Sequence, residues 1–203
     1  MSAPVRVEES AVVDHWLRLE EGGPERPEEL PPAEALDALL TANPGAASFL
    51  WQTRPARWYH LRLSRAAFGR LHVIDGPPEL GWRALSPDGT VREAARRIDR
   101  RDAVALPAAA AGVDVDCVER LTAALAGGAS FPAPVATTRR GCAPTRVADG
   151  NHRAAATALH LRRTGEYRPL AVYVGVGAAP VVGPLRERVC GALRRFVGRD
   201  RIV

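Results

Sequence analysis

Apolar positions along this chain recur with two periods and switch between them abruptly. From Ser10 to Glu21 the spacing is helical, with Val13, Trp16 and Leu17 on one face and Ser10 placed as N-cap. The segment EEGGPERPEELPP breaks that pattern as a Pro/Gly/Glu linker, and Ala33 to Thr41 resumes it as a second short helix before ANPG. From Trp51 the character changes. RWYHLRLS (57–64) alternates as a strand, and GRLHVIDGPPEL (69–80) reads as another strand closed by a turn. SPDGT is a turn whose Thr90 can cap a helix over VREAARRI (91–98), and DAVALP (102–107) is a short buried strand. VDVDCVERLTAALAGG (113–128) is a helix with Val118, Leu121, Ala124 and Leu125 inward and Gly127–Gly128 as its stop. APVATTRR (133–140) and TRVADG (145–150) form a strand pair around GCAP. A helix from Asn151 to about Thr164 follows, then the strand LAVYVGV (170–176), then an amphipathic helix from about Pro184 to Val197. These elements specify an α+β domain, a small mixed sheet with flanking helices, preceded by an N-terminal helical extension.

Length and composition sharpen that picture. The chain has 203 residues, enough for one substantial core without covalent staples. Its three cysteines, Cys117, Cys142 and Cys190, follow no C-x-x-C spacing, which excludes a disulfide framework or zinc ribbon and suits a reducing, cytoplasmic setting. No apolar leader opens the chain, and the longest uncharged run, Pro169 to Leu185, is interrupted by three prolines and three glycines. We therefore expect no membrane span. All 28 basic residues are arginine, so every cationic task falls to guanidinium, which favours forked contacts to phosphate and carboxylate.

Charge divides the chain into three parts. Residues 1–50, an acidic helical leader and linker, hold three Arg against ten acids, while residues 51–203 hold 25 Arg against 13 acids. An acidic leader beside a basic body can shield an anion-binding surface, or it can be a solvated appendage. Residues 51–183 form the main domain. Residues 184–203 form a C-terminal basic amphipathic helix, in which Leu185, Val189, Leu193 and Phe196 make an apolar side and Arg186, Arg188, Arg194, Arg195, Arg199 and Arg201 a basic one. That helix can dock on the domain or contact nucleic acid, since clustered Arg neutralises phosphates without reading sequence.

One stretch carries the candidate chemistry. In ADGNHRAAATALHLRRTGEY (148–167), Asp149, Asn151, His152 and Arg153 surround Gly150 at the start of a helix. A glycine there lets backbone approach a ligand closely, and the first-turn amides, which lack intrahelical partners, point at an anion. Arg153 adds a forked phosphate contact and His152 a donor that can also move protons. Asp149 would repel phosphate, so its presence asks for a metal ion or for a hydroxyl to deprotonate, unless it is an ordinary helix cap. Thr137 and Thr138 precede the hairpin and can bond phosphate or a substrate hydroxyl, or simply serve as β-branched strand residues. His60, His72 and His160 fit packed positions, and Trp51, Trp58 and Tyr59 can stack a base or fill a core.

The order of elements around this loop resembles the ParB/sulfiredoxin superfamily over about Asp114 to Val176. The shared features are a helix ending in glycine, a P-x-P-V lead into a strand, a hairpin, a G-x-x-R loop opening a helix, and an apolar closing strand. Members of that superfamily hold nucleotide phosphates with the equivalent loop. Asp149 to Arg153 are closest to the D-G-H-H-R loop of its free serine kinases, with Asn151 in place of the first His. Sulfiredoxins need a Cys immediately before the His-Arg pair, where this chain has Asn151, so the resemblance does not extend to sulfinic-acid repair. The 27 residues after Val176 accommodate one helix, and we expect no complete DNA clamp.

The resemblance implies a nucleotide-dependent phosphotransferase, using ATP or ADP with Mg²⁺ and acting on a small hydroxyl-bearing metabolite such as serine. Gly150, Asn151, His152, Arg153, Thr137 and Thr138 would hold phosphate, Asp149 and His152 would be catalytic, and Asp149 would bind Mg²⁺. The acidic general base of the kinases has no secure counterpart here; Asp99, Asp102, Asp114, Asp116 and Glu119 are the candidates. The alternative is a non-catalytic, nucleotide-responsive DNA-binding regulator of the ParB type.

Overall fold

A computed structural model describes residues 3–20, 30–52, 55–101, 106, 110, 112–139 and 144–177. The C-terminal basic helix, the linker at 21–29 and most of the short strand expected at 102–107 lie outside the described residues, as do Asp102, Cys142 and Cys190. The fold is α+β: a five-stranded mixed sheet with helices on both faces. Its strands are β1 (Val5–Val7), β2 (Pro55–Arg62), β3 (Val135–Arg139), β4 (Arg146–Asp149) and β5 (Ala171–Gly177), arranged β1-β2-β5-β3-β4. Only β3 and β5 run parallel. The chain crosses from one to the other through β4 and the long helix α7 (Asn151–Thr164).

Alternation along the strands sorts residues to two cores. On one face Trp58, Val135 and Ala148 meet α1 (Glu9–Glu20) and α2 (Pro32–Ala42), packing with Val12, Trp16, Leu17 and Leu39. On the other, Ala136, Val147, Val172 and Val174 meet α7 and its neighbours α5 (Val91–Asp99) and α6 (Val115–Ala126). The acidic leader is therefore a layer of the fold, with β1 paired to β2 and Trp58 Nε1 donating to Glu9 at 3.2 Å. Its first helix begins one residue earlier than expected, at Glu9, so Ser10 falls in the first turn. A π-helical turn at Ser48–Gln52 links the leader to β2.

Local chemistry explains the better-defined helices. Thr90 caps α5 as expected, its hydroxyl accepting from Glu93 N at 3.1 Å, and Val91, Ala94, Ala95 and Ile98 form the buried stripe. Asp114 caps α6 in the same way through Cys117 N at 2.7 Å. Helix α7 lies between α5 and α6 and is buried from Ala154 to His160, so its alanines are what allow three helices to close on one another. Its far end is tied down by Arg162 and Arg163, which pair with Asp99 of α5, while Arg163 also forks onto Glu119 of α6. Gly165, at φ 75°, then ends the helix.

The strand expected over 69–80 is corrected to a single bridge. His72 alone pairs, with Thr90 on one side and Arg146 on the other. At Ile74 the backbone N–H leaves the ladder for the side chain of Asn151, 2.9 Å away. Two short helices, α3 (Arg65–Phe68) and α4 (Gly81–Leu85), flank that segment where no helix is expected from periodicity. Among the described residues no helix is long and apolar enough to cross a membrane.

If the leader is a structural layer, Trp16→Ala should destabilise the whole protein. Trp16 is 1 % exposed, and its loss should cost about 3–5 kcal/mol in chemical denaturation, as large-to-small core substitutions do. A value within about 0.5 kcal/mol of wild type, the range of a surface change, would show that the leader is only loosely attached.

Candidate functional site

Strand β4 runs into α7 through one residue, Gly150, which is both the N-cap and left-handed, at φ 88°. A Cβ at this position would come within 2.8–2.9 Å of Arg153 and of Pro134, so glycine is required by conformation and by space. The turn aims the first-turn amides of α7 at a cleft of about 370 Å³. Side chains cap α3, α5 and α6 at Ser64, Thr90 and Asp114, whereas α7 has no side-chain cap. Its positive end is left bare.

Arg153 folds back over this end. One terminal nitrogen donates to Asp149 Oδ2 at 2.5 Å and the other to the Pro132 carbonyl at 3.1 Å. Both partners of the ion pair are largely sheltered, at 13 % and 24 % side-chain exposure, which strengthens it relative to a surface pair. A guanidinium carries five N–H donors, so Nε–H and one hydrogen on each terminal nitrogen remain for a ligand. Asp149 Oδ1 has no hydrogen-bond partner among the described residues.

His152 is half-buried on the cleft wall, edge-on to Trp82 with ring centroids 5.0 Å apart. Burial pushes its imidazole below the ordinary value of 6.5, against the pull of Asp114 and Asp149. Burial thus favours its neutral form, and its Nε2 is enclosed, with no hydrogen-bond partner among the described residues. Asn151, expected among the phosphate ligands, is 7 % exposed, and its side-chain oxygen accepts from Ile74 N. That side chain positions the loop; only the backbone amide of Asn151 belongs to the helix end that faces the cleft.

The two threonines lie elsewhere. The register sets Val135 opposite Asp149, while Thr137 sits opposite Arg146, roughly 10 Å back along β4. Thr137 is buried, and neither threonine lines the cleft. Among the candidate acids, Asp99 and Glu119 are bound to Arg162 and Arg163 at the far end of α7, and those guanidiniums hold both carboxyls below the usual range. Asp114, which caps the helix that brings Cys117 to the cleft, is the candidate whose charge acts on His152. Trp58 and His60 belong to the leader-covered face of β2, where His60 stacks on Tyr173 at 4.7 Å. His160 is buried in α7, and His72 is the bridging residue.

Periodicity could not reveal the leader's share of the site. Leu19 and Glu20 form one wall of the cleft. His15 donates through Nε2 to the Ala133 carbonyl at 2.7 Å and stacks on the other side of Tyr173 at 4.7 Å. Burial lowers its pKa, the Ala133 bond opposes this, and Arg153 lowers it further. The only available signal was a lone His on the helix face that also carries Trp16.

Among the described residues no group of three or more His, Cys, Asp or Glu is placed to hold a metal. Of the two carboxylates that line the cleft, Asp149 is ion-paired to Arg153 and Glu20 lies on the leader wall. Comparisons with known protein families, with characterised proteins and with solved structures return no match to this chain.

Two outcomes are expected from this geometry. Gly150→Ala should cost about 1–3 kcal/mol in denaturant titration, the usual penalty for a non-glycine residue held in a sparsely populated backbone region. A wild-type midpoint would show that the turn relaxes freely. The histidines set the pH dependence. His15, His72 and His152 are all held below 6.5 in the folded chain, chiefly by burial. Below that value the unfolded chain binds more protons, so stability is complete above about pH 6.5 and falls as pH drops toward 5. Glu93, Asp99 and Glu119 are lowered too, so their contributions persist until more acidic pH. Melting temperature should fall between pH 7 and 5, less steeply in His15→Gln and His152→Gln; a flat profile would contradict the assignment.

Proposed function

We propose that this protein is a nucleotide-dependent phosphotransferase acting on a small hydroxyl-bearing metabolite, with serine or a similar amino acid as leading acceptor. On this reading it belongs with the free serine kinases of the ParB/sulfiredoxin superfamily. The observation that carries the reading is the uncapped head of α7, where bare amides, His152 and the spare donors of Arg153 face one cleft. Its volume lies within the range of about 300–1,000 Å³ typical of small-ligand sites.

The first-turn amides and Arg153 would hold the phosphates of ATP or ADP. Asp149 holds the guanidinium over the helix end, so its orientation is set before the ligand arrives. His152, whose ring lines the cleft and whose pKa is lowered by burial, would accept the proton of the attacking hydroxyl. Asp114 supports the imidazolium that forms, as its influence on His152 indicates. Mg²⁺ held by Asp149 Oδ1 would supply charge neutralisation for the phosphates. Catalysis then rests on positioning and charge stabilisation, which phosphoryl transfer permits.

Arg153→Ala should weaken ATP and ADP binding by about 1.5–3 kcal/mol in calorimetric titration below its melting temperature, which should itself drop because Asp149 loses its partner. Equal affinity in wild type and variant would overturn the phosphate-site reading. Asp149→Asn keeps an acceptor for Arg153, so nucleotide affinity should change little while turnover falls about 10²-fold or more over a serine-containing amino-acid panel. Unchanged turnover would reduce Asp149 to a structural partner of Arg153. Nucleotide binding without turnover on any acceptor would leave a nucleotide-responsive binding protein instead.

A further inference from the structure

We propose that a second groove, at the opposite end of α7, is an independent anion site that takes a run of two or three phosphates whatever base they carry. The groove has a volume of about 590 Å³ and lies between α3, the first turns of α5 and the C-terminal half of α7. Arg162 on its rim is nine residues beyond Arg153, roughly 13 Å along the helix axis, so the two sites do not share ligands.

Four guanidiniums line it, from Arg65, Arg92, Arg96 and Arg162, against two carboxylates, Asp88 and Glu93, but Arg96 is engaged by Glu93 and Arg162 by Asp99. Both carboxylates are already occupied. Glu93 is forked by Arg96 at 2.6 and 2.7 Å and also accepts from Arg97. Asp88 accepts from the hydroxyl of Ser86 and from the amide and hydroxyl of Thr90. The side chains of Arg65 and Arg92 are exposed and make no ion pair or hydrogen bond among the described residues. Like charges gathered in a concavity repel one another, and a bound polyanion removes that cost.

The shape favours phosphate over a nucleobase. The floor is Gly69, Ala158 and Leu161, and no aromatic side chain among the described residues lines the groove, so these walls offer a base no ring to stack on. A Cβ on Gly69 would meet the Cδ of Arg92 at 3.7 Å, an ordinary contact, so a side chain placed there would stand beside that arginine. A free polyphosphate and a nucleic-acid backbone share this chemistry. The volume matches a discrete ligand, whereas specific duplex contacts cover roughly 1,000 Å² or more of protein surface.

The experiment is calorimetric titration of the full chain with inorganic tripolyphosphate, comparing wild type, Arg65→Ala/Arg92→Ala, Gly69→Asp and Arg153→Ala. The double variant removes charges that hold no partner, so its melting temperature should equal or exceed that of wild type. Gly69→Asp instead adds a carboxylate to the floor at a position with ordinary backbone geometry. Both should weaken one class of tripolyphosphate binding at least about tenfold. Arg153→Ala should leave that class intact, which separates failure here from failure of the cleft at the head of α7. ADP and tripolyphosphate should compete for the groove without preference for the nucleotide. Unchanged tripolyphosphate binding in the double variant and in Gly69→Asp would overturn the proposal. So would a groove that binds a short random DNA duplex through Arg65 and Arg92 but not tripolyphosphate, since its ligand would then be a nucleic-acid backbone.

Discussion

Burial of an alanine-rich helix between two others is the constraint on which the remaining geometry depends. From Ala154 to His160 every residue of α7 is buried, so α5, α6 and the sheet all pack against one thin cylinder. A helix enclosed on so many sides can reach solvent only at its ends, and polar chemistry is concentrated there. At the far end Asp99 and Glu119 bind Arg162 and Arg163, clamping α5 and α6 to the last turn. At the near end the single left-handed Gly150 carries no side chain to cap the helix, and the guanidinium of Arg153 lies beside it.

That ion pair gives the cleft a defined resting state. Taking a carboxylate and a guanidinium partly out of water is favourable only with good geometry and further hydrogen bonds, and the Pro132 carbonyl supplies one. Removing either partner leaves a sheltered charge uncompensated, so Arg153 and Asp149 are coupled, and their substitutions should not be additive. An incoming phosphate need not displace Asp149, because the unused guanidinium hydrogens and the helix amides are separate donors.

Legibility of this fold from sequence follows how local each determinant is. Thr90, Asp114 and the stripes of α5 and α6 are local signals, and those elements appear where expected. Helix α7 was legible from end to end because Gly150 and Gly165 bracket it. The run at 69–80 failed because a side chain 77 residues away in sequence, Asn151, takes the Ile74 amide out of the ladder. The structural task of the Asn151 side chain is hidden for the same reason: the partner of its oxygen is a distant backbone N–H. Thr137 and Thr138 are sequence neighbours of the hairpin, yet the register that carries Thr137 away from Asp149 includes an irregularity at Val135/Ala136 that no local pattern announces.

The leader's place in the site was invisible for a different reason, and it has a physical consequence. The segment from Phe131 to Pro134 is held by three unrelated partners. Arg153 takes the Pro132 carbonyl, His15 takes that of Ala133, and Tyr173 N takes that of Pro134. One short extended stretch thus joins the leader helix, the central strand β5 and the guanidinium over the α7 head, while Leu19 and Glu20 complete the wall. The cleft exists only while the leader is docked, so any ligand that binds there stabilises the docked leader by mass action. The acidic leader therefore does more than balance the charge of a basic body. It forms part of the wall of that body's candidate phosphate site, and Glu20 sets a negative boundary beside a positive helix end.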